Sequence, residues 1–198
     1  MTDSRLQQLE RAWEASGSVK DEVAYLRERV RVGGLSEERF GLLLRSKQEL
    51  APGLSESEVV LAIRSLLGDA ERFGGYAAVL AAVTKVVEAA LVLLGSEREF
   101  GRSIVSALRN CRDCPCEAHA RALMSTTPLG SRGMHPLLSL APSLGAWFLP
   151  AYEEFTAQSS FAAQSMNVVE GSDLLEGRSP RDVLEVVKEG IEEWVHSN

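Results

Sequence analysis

Residues 76–94 consist almost entirely of Ala, Val and Leu, and they constrain the fold more than any other part of the chain. Such a run is long enough to cross a bilayer as a helix. Lys85 and Glu88 sit near its middle, however, where charge is costly in lipid, and their three-residue spacing lets them pair along one side of a helix. The segment therefore reads as the central core helix of a folded protein, and no membrane association is expected.

Helix signals surround this segment, and strand signals do not. Leu6, Leu9 and Trp13 fall on one face of a first helix opened by Asp3 or Ser4. Ser18, with Asp21 three residues on, starts a second whose apolar stripe is Val23, Leu26 and Val30 and whose end is marked by Gly33 and Gly34. Ser36 caps a third, with Leu35 and Phe40 placed as a hydrophobic staple; Leu54, Ser55, Glu58 and Val59 repeat the arrangement for a fourth. Residues 34–46 align with 53–65 at seven of thirteen positions, through either helical repetition or shared capping chemistry. Two copies fall short of the roughly three units that a solenoid needs.

Further along, Ser96 and Glu99 form a capping box that opens a helix through about Arg109. Residues 125–136 carry the longest loop signal, and Pro136, Pro142 and Pro150 cut the apolar region that follows into short helices. A longer helix is expected over 151–166, then a loop over 167–178. In the last helix Ser179 caps, Pro180 takes N1, Asp182 takes N3, and Val183, Val187, Ile191 and Trp194 line one face. The expected fold class is all-α: a multi-helix bundle or short α-α array of about eight or more helices. An N-terminal helical segment over 1–50 would join a helical core over 51–198 in one compact unit.

The net charge of −7 is unevenly distributed. Residues 1–50 and 51–150 each balance nine basic against nine acidic side chains, whereas 151–198 carry three against ten. A chain without a Lys/Arg stripe repels phosphates, so nucleic acid is not an expected partner. The acidic C-terminal part suits a basic protein partner, or serves only as a solvated face. The first ten residues show no apolar run behind a basic start, so the expectation is a cytoplasmic protein with reduced thiols.

All three cysteines lie between Cys111 and His119, in Cys-Arg-Asp-Cys-Pro-Cys-Glu-Ala-His. With Cys114 as N-cap and Pro115 at N1, Cys116 and His119 fall three apart on one helix face. Three readings follow. The cysteines are small buried residues of a tight helix-helix turn; or Cys111, Cys114, Cys116 and His119 are the ligands of a Cys3His zinc site, with His135 or a second subunit relieving the crowding; or a thiolate at the helix N-terminus is reactive, with Cys111 as resolving thiol and His119 nearby. The chain has no nucleotide-binding Gly-rich loop, no Gly-x-Ser-x-Gly elbow and no His-Glu-x2-His helix. Residues 130–133 with Arg132, His135 and His196 read as loop or terminal side chains.

Residues 9–39 together with Cys-Pro-Cys-Glu-Ala-His at 114–119 resemble an uncharacterised family of helical bacterial proteins, a resemblance that brings no activity with it. The cluster also resembles, more faintly, the alkylhydroperoxidase AhpD/carboxymuconolactone decarboxylase group, all-helical proteins with Cys-x2-Cys-x3-His. Here the spacing from Cys114 to His119 is one residue longer. This second resemblance implies a thiol enzyme on Cys111, Cys114 and His119. The leading functional expectation is a non-enzymatic helical interaction module, an adaptor or an inhibitor-like binder of a basic partner, without a cofactor and open to homo-oligomerisation. A thiol-dependent redox enzyme and a zinc-stabilised module are the alternatives.

Overall fold

The structure, a computed structural model, describes residues 3–49, 51–91, 98–126, 144–145, 160–170 and 178–197. Among these are eight α-helices and no strand: α1 (Asp3–Ser16), α2 (Val19–Arg31), α3 (Glu37–Ser46), α4 (Glu56–Ala90), α5 (Arg98–Asp113), α6 (Glu117–Ser125), α7 (Phe161–Glu170) and α8 (Pro180–Ser197). Ser96, residues 130–133, His135, the three prolines at 136, 142 and 150, and residues 151–159 lie outside the described residues.

Capping chemistry places the helix starts. Ser18, Ser36 and Ser55 are N-caps whose side chains accept the amides of Asp21, Arg39 and Glu58. Glu58 completes a capping box by returning its carboxylate to the Ser55 amide at 2.8 Å, and Asp182 does the same for Ser179.

The second half of α4 is the centre of the molecule. Gly75 adopts φ +63°, ψ −163°, a conformation that a side chain would resist, and there the helix kinks into two limbs. The second limb buries Ala78 through Val83, Val86, Val87 and Ala90, as expected of the apolar segment. Helix α4 as a whole is the one described helix long and apolar enough to cross a membrane, and 56% of its most apolar stretch is buried within the protein.

Helices α8, α7 and α5 pack on α4, and α3 packs on both α4 and α8. Val183, Val187, Ile191 and Trp194 of α8 are all buried, and a Cβ on Gly190 would fall 2.7 Å from the Ala81 carbonyl oxygen. The backbones of α8 and α4 thus approach as closely as a glycine allows. Lys85 pairs with Glu193 of α8 as well as with Glu88, which also holds Arg109 of α5 at 2.6 Å.

Two expectations change. The aligned segments 34–46 and 53–65 share their caps but not their packing: Leu42 is fully buried, while its counterpart Leu61 is 60% exposed. The likeness is one of helix starts, because α3 stops at Ser46 whereas α4 continues past the matching Ser65 for about seven more turns, to Ala90. Helix α7 runs on to Glu170, past the expected end at 166, since no proline or glycine intervenes before Gly171.

Candidate functional site

The cysteine cluster lies where α5 turns into α6. Helix α5 extends through Asp113, and the Cys114 amide still bonds the Asn110 carbonyl at 2.9 Å, so Cys114 closes α5 rather than opening α6. The Cys116 amide then donates to the Cys114 carbonyl at 2.8 Å across Pro115. This three-residue turn is favoured by the fixed proline φ. Cys116, with extended φ −103° and ψ 161°, is the N-cap of α6. The expected cap at Cys114 is therefore displaced by two residues, because Pro115 stiffens a turn instead of filling N1.

This displacement sorts the three thiols. Cys111 points into the core and is fully buried, and burial, with smaller contributions from the two neighbouring thiols, pushes its pKa up to about 11. It is a packed apolar side chain, as the first reading held. Cys114 is exposed, and Cys116 and His119 are half-buried. One donor atom from each of these three lies within 4.8 Å of the others, and Cys111 does not join them. The four-residue ligand set read from the sequence thus divides into one core residue and a surface trio.

Within the trio, His119 Nδ1 is 2.9 Å from the Cys114 carbonyl oxygen and 3.5 Å from Cys116 Sγ. Cys116 makes no side-chain cap hydrogen bond at the start of α6. The backbone amide of His119, then the Cys114 thiol, then the imidazole and the Ala118 amide favour its thiolate, holding it below the usual thiol range. Cys114 moves the other way, chiefly through its hydrogen bond to Cys116. One sulfur accepts and its neighbour donates.

Elsewhere the described surface offers shallower chemistry. The groove between α3, α4 and α8 contains Arg45 and Lys188, but Arg45 is paired to Asp69 at 2.5 Å and Lys188 to Glu185 at 2.8 Å. His196, which sequence reading set aside, joins a buried polar node instead: its Nε2 lies 2.9 Å from Glu22 and its ring stacks on Trp13. No family model, curated protein or solved structure matches the chain.

Proposed function

We propose that the chain is a thiol-dependent protein that acts by thiol–disulfide exchange, with Cys116 as nucleophile and Cys114 as resolving thiol. The observation that carries this reading is the joint position of the two sulfurs, at the N-terminus of α6 with the His119 ring beside them. In the first step Cys116 Sγ⁻ attacks one sulfur of a disulfide, an S–S bond forms to Cys116, and the other half leaves as a thiolate. Cys114 Sγ then attacks Cys116 Sγ, its proton passing to the departing thiolate. The protein dithiol is oxidised to a disulfide, and the substrate disulfide is reduced to two thiols.

The three-residue turn through Pro115 keeps the two cysteines near enough to bridge. The resolving thiol in this reading is Cys114 and not Cys111, whose burial removes it from attack. The expected interaction with a basic partner rested on the acidic C-terminal part, and much of that charge on α8 is spent within the chain. Glu192 holds Lys47, Glu193 holds Lys85, and Glu185 holds Lys188.

Trypsin tests the reading directly, because cleavage at Arg112 and Arg121 isolates residues 113–121, containing both reacting thiols, from Cys111. After incubation with oxidised glutathione, this peptide should lose two hydrogens and carry no adduct. In Cys114→Ser a stable glutathione adduct should remain on Cys116, and in Cys116→Ser adduct formation should slow by roughly tenfold. Equal adduct formation on the two cysteines, or a bridge reaching Cys111, would overturn it.

A further inference from the structure

The same three side chains have the donor set of a metal site, and the geometry points to one: we infer that Cys114, Cys116 and His119 bind a single soft divalent cation, Zn2+ by class, through two thiolates and one imidazole nitrogen. The inference rests on the same placement as the thiol reading but not on any redox turnover. A tetrahedral zinc with bonds of about 2.3 Å to sulfur and about 2.0 Å to nitrogen holds two sulfurs about 3.8 Å apart and a sulfur and nitrogen about 3.5 Å apart. Cys116 Sγ and His119 Nδ1 already stand 3.5 Å apart. With every donor pair inside 4.8 Å, the remaining sulfur has about 1 Å to travel.

The elements around the site fix its backbone and leave the movement to the Cys114 side chain and the His119 ring. The backbones of His119 and Cys116 are fixed by the first turn of α6, and the Cys114 backbone is held by Asn110 from α5 and by the Pro115 turn. Cys114 is exposed, so its side chain is free to swing onto the ion. Nδ1 is the ligating nitrogen nearest the sulfurs, and because it stands only 2.9 Å from the Cys114 carbonyl oxygen, too near for an ion to lie between them, the imidazole gives up that hydrogen bond and turns toward the two sulfurs when the ion binds.

Three protein ligands leave a fourth position. Cys111, the fourth soft donor in the sequence, is turned into the core. The fourth position therefore faces solvent and accepts water or an exogenous ligand, the coordination of a zinc site that exchanges ligands rather than one that only staples a fold. A metal bound there also occupies both thiolates and blocks disulfide exchange while it stays.

The test uses the reduced full-length protein with a phosphine reductant, so that no competing thiol is present. Titration with Zn2+ should load one ion per chain. Co2+ in its place should give thiolate-to-metal charge-transfer absorption with the intensity of two thiolates. Cys111→Ala should keep this spectrum. Cys114→Ser and Cys116→Ser should each weaken Zn2+ binding by roughly a hundredfold or more, and His119→Gln by at least about tenfold, with the far-ultraviolet circular dichroism of each unchanged. Absence of stoichiometric binding, binding that survives in the Cys114→Ser/Cys116→Ser double variant, or its loss in Cys111→Ala would overturn the metal site. The two proposals fail separately: Zn2+ titration of the reduced protein reads the metal site, and conversion of peptide 113–121 by oxidised glutathione in the unsubstituted, metal-free protein reads the thiol pair.

Discussion

Three cysteines within six residues have three different environments, and the difference is one of backbone placement rather than composition. Cys111 occupies the last turn of α5 on the face that packs into the core, Cys114 closes that helix in solvent, and Cys116 opens the next. Serine substitution should separate them. Cys111→Ser puts a hydroxyl into a fully buried apolar site and should cost about 1–3 kcal/mol, whereas Cys114→Ser, at an exposed position, should stay within about 1 kcal/mol. Urea denaturation of the two metal-free variants checks this, and equal costs would show that Cys111 is less enclosed than its packing implies. The grouping of the cluster was legible in the sequence: residue types, a nearby helix start and a neighbouring imidazole all follow from Cys111 to His119. The separate environments of the three thiols were not. They depend on whether Pro115 begins a helix or stiffens a turn, and the proline φ suits both.

At the scale of helices, local signals carried the starts and tertiary contacts decided the rest. Ser18, Ser36, Ser55 and Ser179 all cap where the spacing of their carboxylate or amide partners places them, because a cap is satisfied within four residues and needs no information from elsewhere. The N-terminus of α7 is the contrary case. There the amides of Phe161 and Ala162 donate to the two carboxylate oxygens of Glu71, each at 3.0 Å, from ninety residues away in the chain. No pattern around Phe161 could announce that partner. The kink at Gly75 was equally hidden, since the two limbs of α4 read separately as sound helices. The local caps also give the fold a pH dependence. Hydrogen bonds from the Ser55 side chain and amide lower the Glu58 pKa, those from the Ser179 amide and side chain lower that of Asp182, and Ser16 and Ser18 lower that of Asp21. A carboxyl whose folded pKa is depressed stabilises the fold above its unfolded value and loses that contribution as the pH falls through the folded one. Stability should accordingly be level near neutrality and decline from about pH 5 towards pH 3. Denaturant midpoints across that range should show the decline, and the combined variant Glu58→Gln/Asp182→Asn should have a shallower one. An undiminished slope in that variant would assign the acid sensitivity to other carboxylates.

Over the whole molecule, part of the charge that looks unbalanced along the chain is paired across it. The acidic C-terminal helix lies against basic side chains from the first half, and its register brings Glu192 to Lys47 at 2.7 Å and Glu193 to Lys85. Lys47 is the junction. It also reaches Glu22 of α2 at 3.1 Å, Glu22 holds His196 at the end of α8, and that ring stacks on Trp13 of α1, which stacks on Tyr25 in turn. One ammonium thus ties the α1–α2 hairpin to α3 and α8, while few large apolar side chains of the hairpin are buried, Tyr25 and Leu26 among them. Burial works against the charge on Lys47, but hydrogen bonds and attraction from Glu192 and Glu22 outweigh it and raise its pKa. Its contribution is therefore complete below the ordinary lysine value of about 10.4 and is lost only as the pH rises through the higher folded value. Lys47→Met removes the junction at neutral pH and leaves Glu22, 5% exposed, with His196 alone, at a cost of about 2–3 kcal/mol. Most of that cost is the stranded carboxylate, so adding Glu22→Gln should recover part of it, whereas two independent losses would add. Urea denaturation of the two single variants and the double variant measures the coupling. Hydrogen exchange should at the same time show α1 and α2 opening more readily in Lys47→Met than the α4–α8 core does, and uniform loss of protection across the chain would mean that the hairpin is held by its apolar contacts and not by this node.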